Sequence, residues 1–204
     1  MKTVIVTGGI GSGKSAVCDL LRARGIPVYD SDRRVKELYD TVPDLVLRLE
    51  SALGMVLRDA HGLLDRAALA ARIFSDADAR QTLEAVVYPL VLEDFLAWRD
   101  RQAGVPFVVL ESAVILSKPV FDGLADAVVV VTAPEPVRMA RVMARDGLSA
   151  AAVRARLAAQ QEPAALLDAA RGPGPACPVH VLENAGTLED LSAALDRLWL
   201  LLLH

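Results

Sequence analysis

The chain has 204 residues, is 53% hydrophobic and only 4% aromatic, and carries a net charge of −4. That length accommodates one α/β domain with a small inserted subdomain around a packed, helix-rich core. The acidic balance offers no global field to nucleic acid, so any phosphate binding must be local. Cys18 and Cys177, without CxxC spacing and without a signal peptide, point to free thiols in a reducing cytoplasm.

The first predicted element is a short apolar strand, Thr3 to Thr7. It runs straight into Gly8-x-x-x-x-Gly13-Lys14-Ser15, and a helix from Ser15 to Arg24 follows. This is a complete phosphate-binding loop in the strand-then-helix context that the motif needs. Its glycines let consecutive backbone N–H groups turn inward as an anion nest, and the helix adds the positive end of its dipole. Lys14 reaches the β- and γ-phosphates, and the Ser15 hydroxyl is the candidate Mg²⁺ contact. Gly8, Gly11, Ser12, Gly13, Lys14, Ser15 and Ala16 are therefore the candidate nucleotide-binding residues, and the expected ligands are a nucleoside triphosphate and Mg²⁺. Cys18 falls within the first helix and is expected to face the core.

After a Gly25 stop comes a second strand, Pro27 to Tyr29. Residues 35 to 103 then break the alternation with helical periodicity at Leu45, Leu49 and Leu53, again from Leu64 to Phe74, and from Leu83 to Trp98. This predicts a helical insert, either acceptor-binding or structural. The third strand is Pro106 to Glu111. The fourth, Ala127 to Thr132, is uniformly apolar, as a doubly buried parallel strand should be. Residues 134 to 171 form a second helical stretch, opened by Pro134 and Glu135. Arg171 to Pro178 is a loop by composition. The fifth strand is Val179 to Leu182, and Thr187 is the expected N-cap of a last helix. Its end, Leu198 to Leu203, is too short to span a membrane and reads as packed terminal turns, or else as a partner patch. Strands alternating with helices give an α/β fold with a five-stranded parallel sheet in a three-layer, P-loop NTPase-type domain over 1–204. Within it lie the helical insert of 35–103, expected to bind the acceptor if it is not structural, and the helical stretch of 134–171, expected to act as a lid.

Beyond the loop, Asp30-Ser31-Asp32 lies just past the carboxyl end of the second strand, which is expected beside the first. Ligands of doubly wound sheets bind there. Asp32 is the candidate base for an acceptor hydroxyl, and Asp30 either supports it or caps the next helix. Arg138, Arg141 and Arg145 share one helical face. Arg141 is the candidate lid arginine for charge that develops in phosphoryl transfer, Arg145 a weaker nucleotide contact, and Arg138 reads as solvated. Asn184, the only asparagine in the chain, opens Asn-Ala-Gly after the fifth strand, either a base-contacting loop or a plain turn. Glu111 is either an acid near the Mg²⁺ shell or a solvated strand-end carboxylate. His61, His180 and His204 have no metal-ligand spacing.

These residues resemble the dephospho-coenzyme A kinase family. The resemblance rests on Thr7-Gly-Gly-Ile-Gly-Ser-Gly-Lys-Ser15, on Val28-Tyr-Asp-Ser-Asp32 and on Leu64-Asp-Arg-x-x-Leu-x-x-x-Ile-Phe74. Arg141-x-x-x-Arg145-Asp146 with Arg156 and Gln160, and Asn184-x-Gly186, also fit in order. It implies transfer of the ATP γ-phosphate to the ribose 3′-hydroxyl of dephospho-coenzyme A, with Lys14, Asp32 and Arg141 as catalytic residues and the insert holding the acceptor. It also implies a cytoplasmic enzyme with a small-molecule substrate, no nucleic-acid or membrane partner, and a monomer or weak homo-oligomer. Lys36, Tyr88-Pro89, Ser117 and Pro178-Val179 depart from the usual pattern. The rival readings are another small-molecule kinase, such as shikimate kinase, and a degenerate nucleotide-binding regulator. Shikimate kinase is shorter and expects a Gly-Gly-Gly segment, where this chain has Glu111-Ser-Ala-Val.

Overall fold

The computed structural model describes residues 1–160, 165, 168 and 177–203. Two compact units emerge, one of residues 1–30 with 102–204 and the other of residues 31–101.

The first unit is built on a parallel sheet of β1 (Lys2–Thr7), β2 (Val28–Asp30), β3 (Phe107–Glu111), β4 (Ala127–Thr132) and β5 (Val179–Glu183). Its order is β2-β3-β1-β4-β5, with every neighbouring pair parallel. The three central strands are buried almost throughout, which is why β3 and β4 read as unbroken apolar runs. The sequence placed β2 beside β1; in the structure β3 lies between them. Composition does not reveal that crossover, because β3 is as apolar as β1. The register then aligns three strand ends, since Glu111 is opposite both Val6 on β1 and Asp30 on β2.

One face of the sheet is covered by α1 (Lys14–Ala23) and by a terminal helix, labelled α8 (Leu188–Leu203). Val4, Val6, Val129 and Val131 pack there with Val17, Cys18, Leu21, Leu191, Leu195, Leu198 and Leu202. Gly25, at φ 79, ends the α1 turn in the left-handed conformation that a helix stop favours. Thr187 does cap α8: its Oγ1 accepts from the Asp190 N–H at 3.2 Å, while Asp190 Oδ2 accepts from the Thr187 N–H at 2.9 Å. Only one stripe of the apolar terminus is packed. Leu195, Leu198 and Leu202 are buried, whereas Leu200 and Leu201 are 63% and 60% exposed. After β4 come α6 (Glu135–Asp146) and α7 (Ala150–Ala158). The expected helical stretch beyond residue 160, and the Arg171–Pro178 loop before Cys177, lie outside the described residues apart from 165 and 168.

The second unit contains α2 (Ser31–Thr41), α3 (Leu45–Leu53), α4 (Arg66–Ser75) and α5 (Ala77–Asp100). Leu45, Leu49, Leu57, Val87, Val91 and Phe95 are its most buried apolar side chains. Asp65 and Asp76 cap α4 and α5, each accepting two backbone N–H bonds. Arg34 forks onto Asp94 at 2.9 and 2.6 Å and so ties α2 to α5. The periodicity that put Phe74 on the apolar face fails at that residue, which lies in the last turn of α4 at 95% exposure.

Candidate nucleotide site

The loop between β1 and α1 is held by its glycines. Gly8, Gly11 and Gly13 have φ of 150°, 74° and 98°, which side chains with a Cβ rarely adopt. The Ser12 N–H donates to the Gly9 carbonyl at 3.1 Å, and Lys14 Nζ donates to the Gly8 carbonyl at 2.8 Å, closing the loop on itself. Among the described residues, α1 has no side-chain N-cap and no acid in its first turn. The positive dipole end of α1 is thus not met by an acid of its own first turn, which suits it to an anion, and Lys14 opens the helix.

Glu111 is not a solvated carboxylate. It is buried at the end of β3, and Ser15 Oγ donates to its Oε1 at 3.3 Å. Burial pushes its pKa up, the Asp30 charge adds to that, and a hydrogen bond from Cys18 and the charge of Lys14 oppose it. Cys18 is core-facing, as expected, and burial raises its thiol pKa strongly. No cluster of three His, Cys, Asp or Glu among the described residues would hold a metal unaided. A serine hydroxyl beside a buried acid, with Asp30 next in register, instead fits Mg²⁺, which keeps waters and takes phosphate oxygens.

A second layer grips the loop from the far side. Asn184 is buried; its Nδ2 donates to the Ser12 carbonyl at 2.9 Å. Arg141 donates to the Asn184 carbonyl at 3.0 Å and to its Oδ1 at 3.2 Å. A Cβ on Gly13 would lie 2.0 Å from Asn184 Nδ2, so glycine there answers a close approach as well as a torsion. The Asn184 carboxamide, expected at the base, is thus engaged by the loop and by Arg141. Arg145, expected beside the nucleotide, pairs on its exposed side with Asp146 at 2.6 and 3.0 Å, and Arg156 reaches the same carboxylate at 3.3 Å. Arg138, read as solvated, is half-buried, and its Nε donates to the Ile10 carbonyl at 2.9 Å. Gln160 Oε1 accepts from the Ile10 N–H at 2.6 Å.

Asp32 is the second residue of α2 and belongs to the helical unit, where its side chain is exposed. Tyr88 of α5 feels its charge: burial above all, then Glu84 and Asp32, push the phenol up to about 12.

Comparison with known proteins decides the family. The family model for dephospho-CoA kinase matches residues 2–172. The chain belongs to the dephospho-CoA kinase family. It is 42% identical over 169 residues to a dephospho-CoA kinase of Porphyromonas gingivalis, covering 83% of this chain and 82% of that one. It is 39% identical to the Anaeromyxobacter dehalogenans dephospho-CoA kinase, over 97% of this chain and 90% of that one. The crystal structure of TT1252 from Thermus thermophilus superposes with a TM-score of 0.79 at 36% identity, covering 98% of this chain and 96% of that one.

In this family member, sequence reasoning missed the work of Arg138 and undervalued Glu111. For Arg138 the available signal was its three-residue spacing from Arg141, which puts both on one face of α6. For Glu111 it was a lone acid closing an apolar strand of the kind that lies next to β1.

Proposed function

We propose that the chain transfers the γ-phosphate of ATP to the ribose 3′-hydroxyl of dephospho-coenzyme A, giving coenzyme A and ADP. The observation that carries this reading is the uncapped, acid-free start of α1 with Lys14 at its mouth and Ser15 against Glu111, in a chain of this family. The loop amides and the α1 terminus bind the polyphosphate, and Lys14 neutralises charge that develops as the γ-phosphoryl group leaves. Mg²⁺, when bound, neutralises the phosphate oxygens; Ser15 would hold it, with Glu111 and Asp30 orienting its waters. Asp32 accepts the proton of the acceptor hydroxyl as its oxygen bonds to the γ-phosphorus, and the bond to the β-bridging oxygen breaks to release ADP. Arg141 is assigned to that charge; its two bonds to Asn184 go to neutral oxygens, which leave its positive charge in place. Arg145 and the Ala185-Gly186 turn are assigned to the nucleoside end, and the Asn184 side chain to holding the loop.

The helical unit, residues 31–101, supplies Asp32 and is assigned the acceptor; residues 134–171 are assigned the lid. The enzyme acts in the cytoplasm as a monomer or weak homo-oligomer. A coupled ADP-release assay with Mg-ATP, offering dephospho-coenzyme A, shikimate and AMP in parallel, tests the reading. Turnover with dephospho-coenzyme A alone is expected. Turnover on either other acceptor, with silence on dephospho-coenzyme A, would overturn the assignment of the helical unit and keep that of the phosphate site.

A further inference from the structure

We infer that Arg138 and Gln160 are positioning residues for ATP binding, which fix the crown of the phosphate loop by clamping a single residue, Ile10, through both of its backbone polar groups. Ile10 stands midway between Gly8 and Gly13. Its N–H donates to Gln160 Oε1 at 2.6 Å, and its carbonyl accepts from Arg138 Nε at 2.9 Å. Both partners are side chains from beyond β4, so neither bond belongs to local turn geometry. A loop backbone has soft torsions on either side of each residue. Two opposed long-range bonds on one residue remove that freedom where the anion nest must be preformed.

The glycines record the same clamp. Gly9 does not adopt a left-handed φ, so no torsion demands glycine there. A Cβ on Gly9 would instead lie 2.5 Å from Arg138 Nη2, 3.0 Å from its Cζ and 3.3 Å from Gln160 Oε1. A Cβ on Gly11 would meet the Arg138 carbonyl at 2.6 Å and its Cα at 3.0 Å. Gly9 and Gly11 are thus the floor on which α6 and the Gln160 side chain rest. Of the three arginines on this face of α6, Arg145 is paired with a carboxylate, whereas Arg138 bonds a neutral carbonyl of the loop.

This inference rests on the phosphate-site half of the function proposed above, and its test uses nucleotide alone. The Kd for Mg-ATP is measured by calorimetry, without acceptor, on Arg138→Ala, Arg138→Gln, Arg138→Lys, Gln160→Ala and Gly9→Ala, each with a thermal melt to confirm folding. Arg138→Ala and Gln160→Ala are each expected to weaken ATP binding about tenfold, the scale of one lost part-buried hydrogen bond. In Arg138→Gln the new carboxamide still donates to the Ile10 carbonyl, and the Kd is expected to return to within about threefold of the parent. Gly9→Ala should weaken binding strongly in the parent and far less in the Arg138→Ala background, because the obstructing guanidinium is gone. Parent-like binding in both alanine variants would overturn the clamp. So would Arg138→Gln as weak as Arg138→Ala beside a parent-like Arg138→Lys, since charge on the phosphates, not the bond to Ile10, would then be what matters. A parent protein that binds ATP but is silent on dephospho-coenzyme A would sink the acceptor assignment and leave this inference standing.

Discussion

Asn184→Ala is the perturbation that best separates a loop clamp from a nucleotide contact. The side chain is buried, and truncation removes two bonds. Losing Nδ2 leaves the Ser12 carbonyl without its donor at 2.9 Å, a buried acceptor whose orphaning costs about 1–3 kcal/mol. Losing Oδ1 frees one Arg141 donor, but that guanidinium is half-buried and keeps its bond to the Asn184 backbone carbonyl, so about 1 kcal/mol is a fair share. Together these give roughly 2–4 kcal/mol. At about 2–4 °C per kcal/mol for a chain of this size, Tm should fall by roughly 4–16 °C. The assay is a circular-dichroism melt of the nucleotide-free protein, paired with ATP titration of the folded variant at low temperature. A Tm within a degree of the parent, together with weakened ATP binding, would refute the reasoning and return Asn184 to the base.

The parts legible in the sequence are those set by local rules. The strand–glycine–helix signature gives β1, the loop and α1 within a residue or two, because each piece needs only its neighbours. The run Ala127–Thr132 reads as β4 because a parallel strand buried on both faces has no polar side to alternate with. Sheet order was not legible. Placing β3 between β2 and β1 is a property of crossover connections, and it is what carries Glu111 to the Ser15 hydroxyl. Arg138 shows the same limit from another side. A solvated arginine and one lying on a loop 128 residues away have the same helical spacing, and only the packing of α6 on Gly9 and Gly11 separates them. Phe74 failed because periodicity counts a residue at the end of a helix as though another layer covered it. The glycines carry the corresponding lesson: a torsional argument covers Gly8, Gly11 and Gly13 but leaves Gly9 unexplained until its neighbours are known.

Lys14→Ala should abolish transfer with Tm little changed, because it removes phosphate charge stabilisation and no core; a coupled assay showing near-parent turnover would defeat the phosphate-site assignment. Asp32→Asn should lower kcat by about two orders of magnitude or more with ATP affinity retained, the usual scale for a general base. A loss confined to ATP binding would make Asp32 a metal-shell residue instead. Glu111→Gln should trade activity for stability. Burial raises the Glu111 pKa above its ordinary 4.5, so the folded state holds that proton more tightly than the unfolded one. Its contribution to stability is therefore complete below about 4.5 and is lost as pH rises through the elevated folded value. Once ionised, the buried carboxylate is a net liability relative to its protonated form. Glutamine keeps the shape and an oxygen to accept from Ser15, so Tm at pH 7–8 should rise above the parent's, while the gap narrows toward pH 4. Transfer should fall at least about tenfold, because a neutral amide no longer balances the cation that Ser15 would hold. A lower Tm at neutral pH would mean that Lys14 and Cys18 more than compensate the buried charge, and that Glu111 is retained for the fold.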